Sequence, residues 1–312
     1  MKFKKPYFWD LPKPNFISYL LIPFTLILIL RNFFLNLRKR YKSQKIKTIC
    51  VGNIYVGGTG KTPLVIKIYE TLTKLKKKVA TVKKNHSDQK DEQLLLKKKT
   101  SLIIAKSRFK AIQQGIKKNY NFLVFDDGLQ EIDIEFDLKI ACFKLNNWIG
   151  NGQLIPAGPL REKISSLKRF DAVFLNGNLE NFKNIKMQIY DVNSKIEIFR
   201  TFYKISNISN YDLNSKYLIF SGIGNPLDFK NILLENNFVI VKEMIFPDHY
   251  KYNYKDFKKI QDIARKNGLQ ILTTEKDYMK IPEEFKKQIN FLAIDLIIHN
   301  EMKFLNFLKK IL

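Results

Sequence analysis

The sequence predicts an α/β protein built mainly on a parallel sheet, and three observations carry that prediction. Strand-like apolar runs alternate with amphipathic, lysine-rich helical stretches along most of the chain, the pattern of parallel strands joined by crossover helices. A glycine-rich segment, VGNIYVGGTGKTPL from Val51 to Leu64, sits between one such run and one such helix. A later apolar run ends in Asp126-Asp127-Gly128, which puts acidic groups at the end of a neighbouring strand. A chain of 312 residues is long enough for one large domain or two ordinary ones, each with its own core.

Taken in order, the chain opens on FISYLLIPFTLILIL, Phe16 to Leu30, interrupted by Arg31 and followed by Arg38, Lys39, Arg40, Lys42 and Lys45. The run is shorter than the ~20 apolar residues of a spanning helix, and it contains Pro23. No small-residue cleavage site follows, so it is not read as a signal peptide. Residues 1–45 are expected to be a membrane-associating helical segment, an apolar helix lying in the interface with its basic flank on anionic headgroups on the cytoplasmic side; a full span and a helix packed on the domain core are the alternatives. Strands are predicted at 47–52, 79–82, 102–105, 122–125, 138–143 and 172–175, and helices at 62–77, 91–99 and 107–118. These elements make up a nucleotide-binding domain over 46–186. MQIYDVNSKIEIFRTFYKI, within 187–205, reads as two strands around Asn193-Ser194, a hairpin linker. A further α/β domain over 206–312 has strands at 217–220, 238–244, 271–274 and 291–297. Its helices follow Asn225-Pro226, run over 255–266 with Gly268 as a stop, and close the chain over 301–312.

Composition narrows the partners. The net charge is +26, from 55 Lys+Arg against 29 Asp+Glu, which attracts anions. Most of the excess is lysine, in a sequence also rich in Ile and Asn. Arginine, which reads bases with a bidentate fork, is scarce, so nucleic acid is not an expected partner. Cys50 and Cys142 both fall in apolar strand-like runs, as buried thiols would, and no metal-ligand spacing of Cys or His appears.

The chemistry is concentrated in short motifs. In the glycine loop, Gly57, Gly58, Thr59 and Gly60 let the backbone approach a phosphate closely. Lys61 reaches the β- and γ-phosphates, and the Thr62 hydroxyl is suited to Mg²⁺. The strict pattern has Gly where Tyr55 stands, so the loop is a variant. Asp126 and Asp127 supply the carboxylates that hold Mg²⁺ directly or through water. ATP and Mg²⁺ are the expected cofactors. For a group that accepts the acceptor's proton, His86, His249, His299, Asp91 and Glu92 remain open on residue chemistry alone. NGQLIPAGPLRE places Arg161-Glu162 before a helix, and a planar guanidinium suits phosphate recognition.

The motifs together resemble the tetraacyldisaccharide 4′-kinase family, the lipid A 4′-kinases of Gram-negative bacteria. The matching stretches, in order, are VGNIYVGGTGKTP, KDEQLLL, FDDGLQ, NGQLIPAGPLRE, FSGIGNP, FPDHY and LTTEKD. GGTGKTP alone is generic; NGxLxPAGPLRE with DDGLQ and FPDH in this order is specific. The resemblance implies transfer of the γ-phosphate of ATP to the 4′-hydroxyl of tetraacyldisaccharide 1-phosphate, giving lipid IVA, at the cytoplasmic face of the inner membrane. It also implies a smaller C-terminal domain on a two-stranded linker that lets the domains close over nucleotide. By motif it makes Asp91 the base and His249 its partner, puts Glu162 at the metal, and puts Arg161 and Asn151 at the lipid substrate. A monomer among anionic lipids is expected. This chain departs from the family pattern where Arg-Gly-Tyr-Gly is replaced by KKNH, and where DDGxQH ends as DDGLQE. The competing reading of a glycine loop on so basic a chain is a partition- or targeting-type ATPase that binds nucleic acid or protein. A scaffold without turnover is another.

Overall fold

The computed structural model describes residues 5–36, 40–85, 90–130, 133–177 and 181–312, apart from the side chains of residues 35 and 36. Of the residues singled out above, Arg38, Lys39, His86 and Glu131 lie outside the described residues. The chain forms two compact units. Unit 1 comprises Met1–Asn85, Thr100–Phe202 and Ile298–Leu312; unit 2 comprises His86–Lys99 and Tyr203–Ile297.

Unit 1 begins with α1 (Phe16–Asn36), then β1 (Lys47–Gly52), α2 (Lys61–Lys74) and β2 (Val79–Lys84). After α3 (Lys90–Lys99), which belongs to unit 2, come β3 (Leu102–Ala105), α4 (Arg108–Lys117), β4 (Phe122–Asp126), β5 (Leu138–Lys144), β6 (Ala172–Asn176), α5 (Phe182–Val192) and β7 (Glu197–Ile205). Within unit 1 the strand order is β7-β6-β5-β1-β4-β2-β3. From β3 to β7 every pairing is parallel. Strands β1 and β4 are buried almost end to end because helices cover both faces, and this is why they read as unbroken apolar runs. One face carries Ala111 and Ile112 of α4 against Cys50, Leu123 and Phe125. The other carries Ile185 and Ile189 of α5 against Phe143, Val173 and Leu175. Both cysteines are buried free thiols, and burial pushes the Cys142 thiol up to about 12.

Unit 2 adds β8 (Lys216–Ser221), α6 (Pro226–Glu235), β9 (Val239–Ile245), α7 (Tyr254–Lys266), β10 (Gln270–Thr274), α8 (Glu275–Tyr278), α9 (Glu283–Lys286) and β11 (Ile289–Leu292). Its sheet order is β11-β10-β8-β9, all parallel. A reciprocal capping box between Asn253 and Asp256 starts α7.

Three boundaries differ from the sequence expectation. First, the hairpin at 187–205 is absent, because Phe182–Val192 is helical and Glu197–Ile205 is one strand pairing with β6. Phe182, Ile185, Ile189 and Val192 carry a helical period, and a window opening at Met187 sees only its second half. Second, residues 86–99 belong to unit 2, where Lys99 Nζ lies 2.6 Å from Glu275 Oε2. Third, α10 (Glu301–Lys309) belongs to unit 1. Phe304 meets Phe174 and Phe199 edge-on at 5.8 and 5.9 Å, and Phe307 lies 5.4 Å from Phe199.

Candidate active site

The glycine loop leaves β1 at its C-terminal end and delivers the chain to the N-terminus of α2. Gly57 and Gly60 have φ of 130° and 85°, conformations that only glycine adopts without strain. Gly60 is the N-cap of α2 and has no side chain to satisfy the first backbone N–H groups of the helix. Those donors and the helix dipole therefore face whatever binds there. Asn53 holds the loop by donating from Nδ2 to the carbonyls of Tyr55 and Gly57. Tyr55, the departure from the strict pattern, does not disturb the cradle. Its side chain is buried in the core of unit 1, and its hydroxyl donates to Asp10 Oδ1 at 2.5 Å. The buried Oδ1 of Asn53 and Oγ1 of Thr59 have no hydrogen-bond partner among the described residues.

The register pairs Val51 with Asp126, so the acidic strand end lies beside the strand that feeds the loop. Thr62 Oγ1 donates to Asp126 Oδ2 at 3.0 Å. Lys83 Nζ donates to the same oxygen at 2.7 Å. Asp126 Oδ1 is buried and has no partner among the described residues. Asp127 follows with φ of 66°. Its Oδ2 is 3.5 Å from Arg161 Nη1, and its carbonyl accepts from Arg108 Nη2. Burial pushes the Asp127 carboxyl up, but Lys61, Arg161, Lys83 and Arg108 outweigh it and hold the group below the usual carboxylate range.

The residues present fit Mg²⁺. An orphaned carboxylate oxygen on Asp126, next to the Thr62 hydroxyl, is a hard oxygen pair, and Mg²⁺ typically takes one or two protein oxygens and completes its shell with phosphates and water. Glu162, expected at the metal, stands beside Gln130 and Arg169. Its Oε2 accepts from Arg169 and its Oε1 accepts from Gln130 at 3.3 Å, so both oxygens are engaged. Burial raises its pKa despite the arginines.

Asn151, expected at the substrate, is engaged within unit 1. It is buried, with Nδ2 donating to the Phe8 and Ala157 carbonyls and Ser18 Oγ at 3.2, 3.0 and 3.0 Å, and Oδ1 accepting from Gln153 N–H at 3.1 Å. The NGQLIPAGPLRE loop clasps the N-terminal segment. Trp9 Nε1 donates to the Pro156 carbonyl at 3.0 Å. A Cβ on Gly158 would stand 2.1 Å from Asn151 Oδ1. Arg161 remains at the site, donating from Nη1 to Gln130 Oε1 at 3.3 Å beside Asp127.

Within unit 2, Asp91 on α3 meets His249 on the loop after β9. His249 Nδ1 is 2.9 and 3.0 Å from the two Asp91 oxygens. Asp91 is 3% exposed. Lys276 and Lys280 each place Nζ 3.7 Å from its Oδ2. Burial pushes the Asp91 carboxyl up, but the His249 hydrogen bond and the two lysines hold it below its ordinary value. His249 has a φ of 55° and donates its backbone N–H to the Gly222 carbonyl at 3.1 Å, so the SGIGNP turn seats the FPDHY loop. Sequence reasoning missed Lys83, Arg108, Gln130, Lys276 and Lys280. Gln130 and Lys276 stood inside quoted motifs, FDDGLQ and LTTEKD. Nothing local marked Lys83 or Arg108 among so many basic residues.

A glycine loop between a central parallel strand and a helix, with a Thr–Asp pair at the next strand's end, defines an α/β phosphotransferase of the P-loop class. The chain belongs to the tetraacyldisaccharide-1-P 4′-kinase family, whose model matches residues 17–312. It is 45% identical over 311 residues to the tetraacyldisaccharide 4′-kinase of Pelagibacter ubique, covering 100% of this chain and 99% of that one. Its identity to the corresponding kinase of Rickettsia bellii is 34%, with 96% of each covered. The fold matches the crystal structure of LpxK from Aquifex aeolicus in complex with ATP, with a TM-score of 0.71, 23% identity and coverage of 95% and 99%. Membership makes this chain a kinase of lipid A biosynthesis and sets aside the partition-type ATPase reading.

Proposed function

We propose that this chain transfers the γ-phosphate of ATP to the 4′-hydroxyl of tetraacyldisaccharide 1-phosphate, with Mg²⁺, and works as a monomer on the cytoplasmic face of the inner membrane. The observation that carries the reading is the Thr62–Asp126 hydrogen bond at the mouth of the glycine loop, with Asp126 Oδ1 left over. Backbone N–H groups at 57–62 cradle the phosphates. Lys61 offsets charge developing on the transferred group. Thr62 and Asp126, with Asp127 behind them, are the residues that would hold Mg²⁺, which when bound would supply charge neutralisation for the phosphates. Arg161 binds the acidic lipid head. The Asp91–His249 pair takes up the proton of the attacking hydroxyl, the carboxylate orienting the ring.

The N-terminal helix supports a membrane role. Over Phe16–Phe34 its mean hydropathy is 1.8, yet only 11% of the segment is buried. Near its ends it is tied to unit 1, where Ser18 Oγ accepts from Asn151 and Asn32 Nδ2 donates to the Arg161 carbonyl at 3.2 Å. Its outward side exposes Phe16, Leu20, Phe24, Ile27 and Phe33. A helix fastened near both ends, with its apolar side outward, suits lying in the interface beside anionic headgroups rather than crossing.

The test is phosphate transfer from labelled ATP to tetraacyldisaccharide 1-phosphate in detergent micelles with Mg²⁺. The expected product is the 4′-phosphorylated lipid, and the Lys61→Ala variant gives none. ATP binding without transfer, or near-normal turnover by that variant, overturns the reading.

A further inference from the structure

We propose that Lys83 is a resident cation of the phosphate site and makes nucleotide binding, as distinct from turnover, largely independent of Mg²⁺. The inference rests on the reading that ATP sits in the glycine loop. Lys83 stands near the end of β2, one residue past Val82, which pairs with Phe125 in parallel register. That register sets Lys83 beside Asp126. Its side chain is 3% exposed and that of Asp126 is fully buried, with Nζ and Oδ2 2.7 Å apart.

Burying a lysine this deeply is costly unless it is paired, and an ion pair kept only for stability is readily replaced by apolar residues. This pair is different, because its carboxylate also accepts the Thr62 hydroxyl. Asp126 Oδ2 thus accepts from two donors, and Oδ1 has no partner among the described residues. A carboxylate among phosphates repels them until a cation intervenes. Here the cation is built in. Lys61, Lys83, Arg108 and Arg161 surround Asp126 and Asp127, an excess of positive charge before any metal arrives. Such a corner attracts a triphosphate by itself.

The experiment measures equilibrium ATP binding to the full chain without lipid acceptor, in Mg²⁺ and again in EDTA. Wild-type protein is expected to lose less than about 10-fold in affinity on metal removal. Lys83→Met is expected to lose about 10- to 100-fold more than wild type, the scale of one charge-assisted bond. Lys83→Arg, which keeps the charge, is expected to retain the wild-type ratio. A wild-type loss beyond about 100-fold overturns the proposal without any variant. So does an unchanged ratio in Lys83→Met, whose fold is checked by circular dichroism. If that variant does not fold, the wild-type ratio decides. Failure of wild type to bind ATP even with Mg²⁺ overturns the kinase reading and this inference together.

Discussion

Replacing Asn151 by alanine tests whether NGQLIPAGPLRE is a clasp or a substrate pocket. The amide carries two hydrogens toward three acceptors, and its oxygen takes the Gln153 N–H. About three hydrogen bonds' worth is lost, at ~0.5–1.5 kcal/mol net each, with extra cost for the carbonyls of Phe8 and Ala157 left dry. That places the destabilisation at about 2–4 kcal/mol, or about 5 °C or more in melting temperature for a unit of this size. The assay is well matched, because the chain has two tryptophans, Trp9 and Trp148, both in unit 1. Tryptophan fluorescence in a urea titration therefore reports unit 1 alone. Below its melting transition the Asn151→Ala variant should keep its KM for the lipid. An unchanged unfolding midpoint with a ten-fold or greater rise in that KM (about 1.4 kcal/mol) would refute the clasp.

Asp91→Ala and His249→Ala should each lower kcat by about 100-fold or more, and the double variant should lose less than the product, because the two groups act as one unit; fully multiplicative losses would argue against a dyad. The Asp91 carboxyl is held below its ordinary value, so its contribution to stability is complete above about pH 4 and is lost as pH falls through the lowered value. Urea unfolding should therefore show the gap between wild type and Asp91→Asn narrowing with acid, and a gap that widens would reverse the sign. Phe24→Asp with Ile27→Asp, both on the exposed side of α1, should leave the melting temperature in place but weaken binding to anionic vesicles by at least ~10-fold, from ~1.5–3 kcal/mol of lost burial per side chain; unchanged vesicle flotation would dismiss the interfacial role.

Much of the fold was legible because it is written locally. Periods of two and 3.6, glycine at Gly57 and Gly60, and an apolar run closing on Asp126 each need only a few neighbouring residues, and strand-to-helix alternation then implies parallel pairing. The motif order pointed to the family for the same reason. Other features came only from strand order and long-range packing. Lys83 reaches Asp126 because β2 lies next to β4. Asp91 reaches His249 across 158 positions because residues 86–99 join unit 2. Phe304 and Phe307 commit the last helix to unit 1, and the contacts of Asn151 with Ser18 and of Glu162 with Arg169 also come from packing. A side chain's type and spacing set what it is able to bind. Which partner it meets depends on the arrangement of the sheet, which periodicity along the chain does not encode.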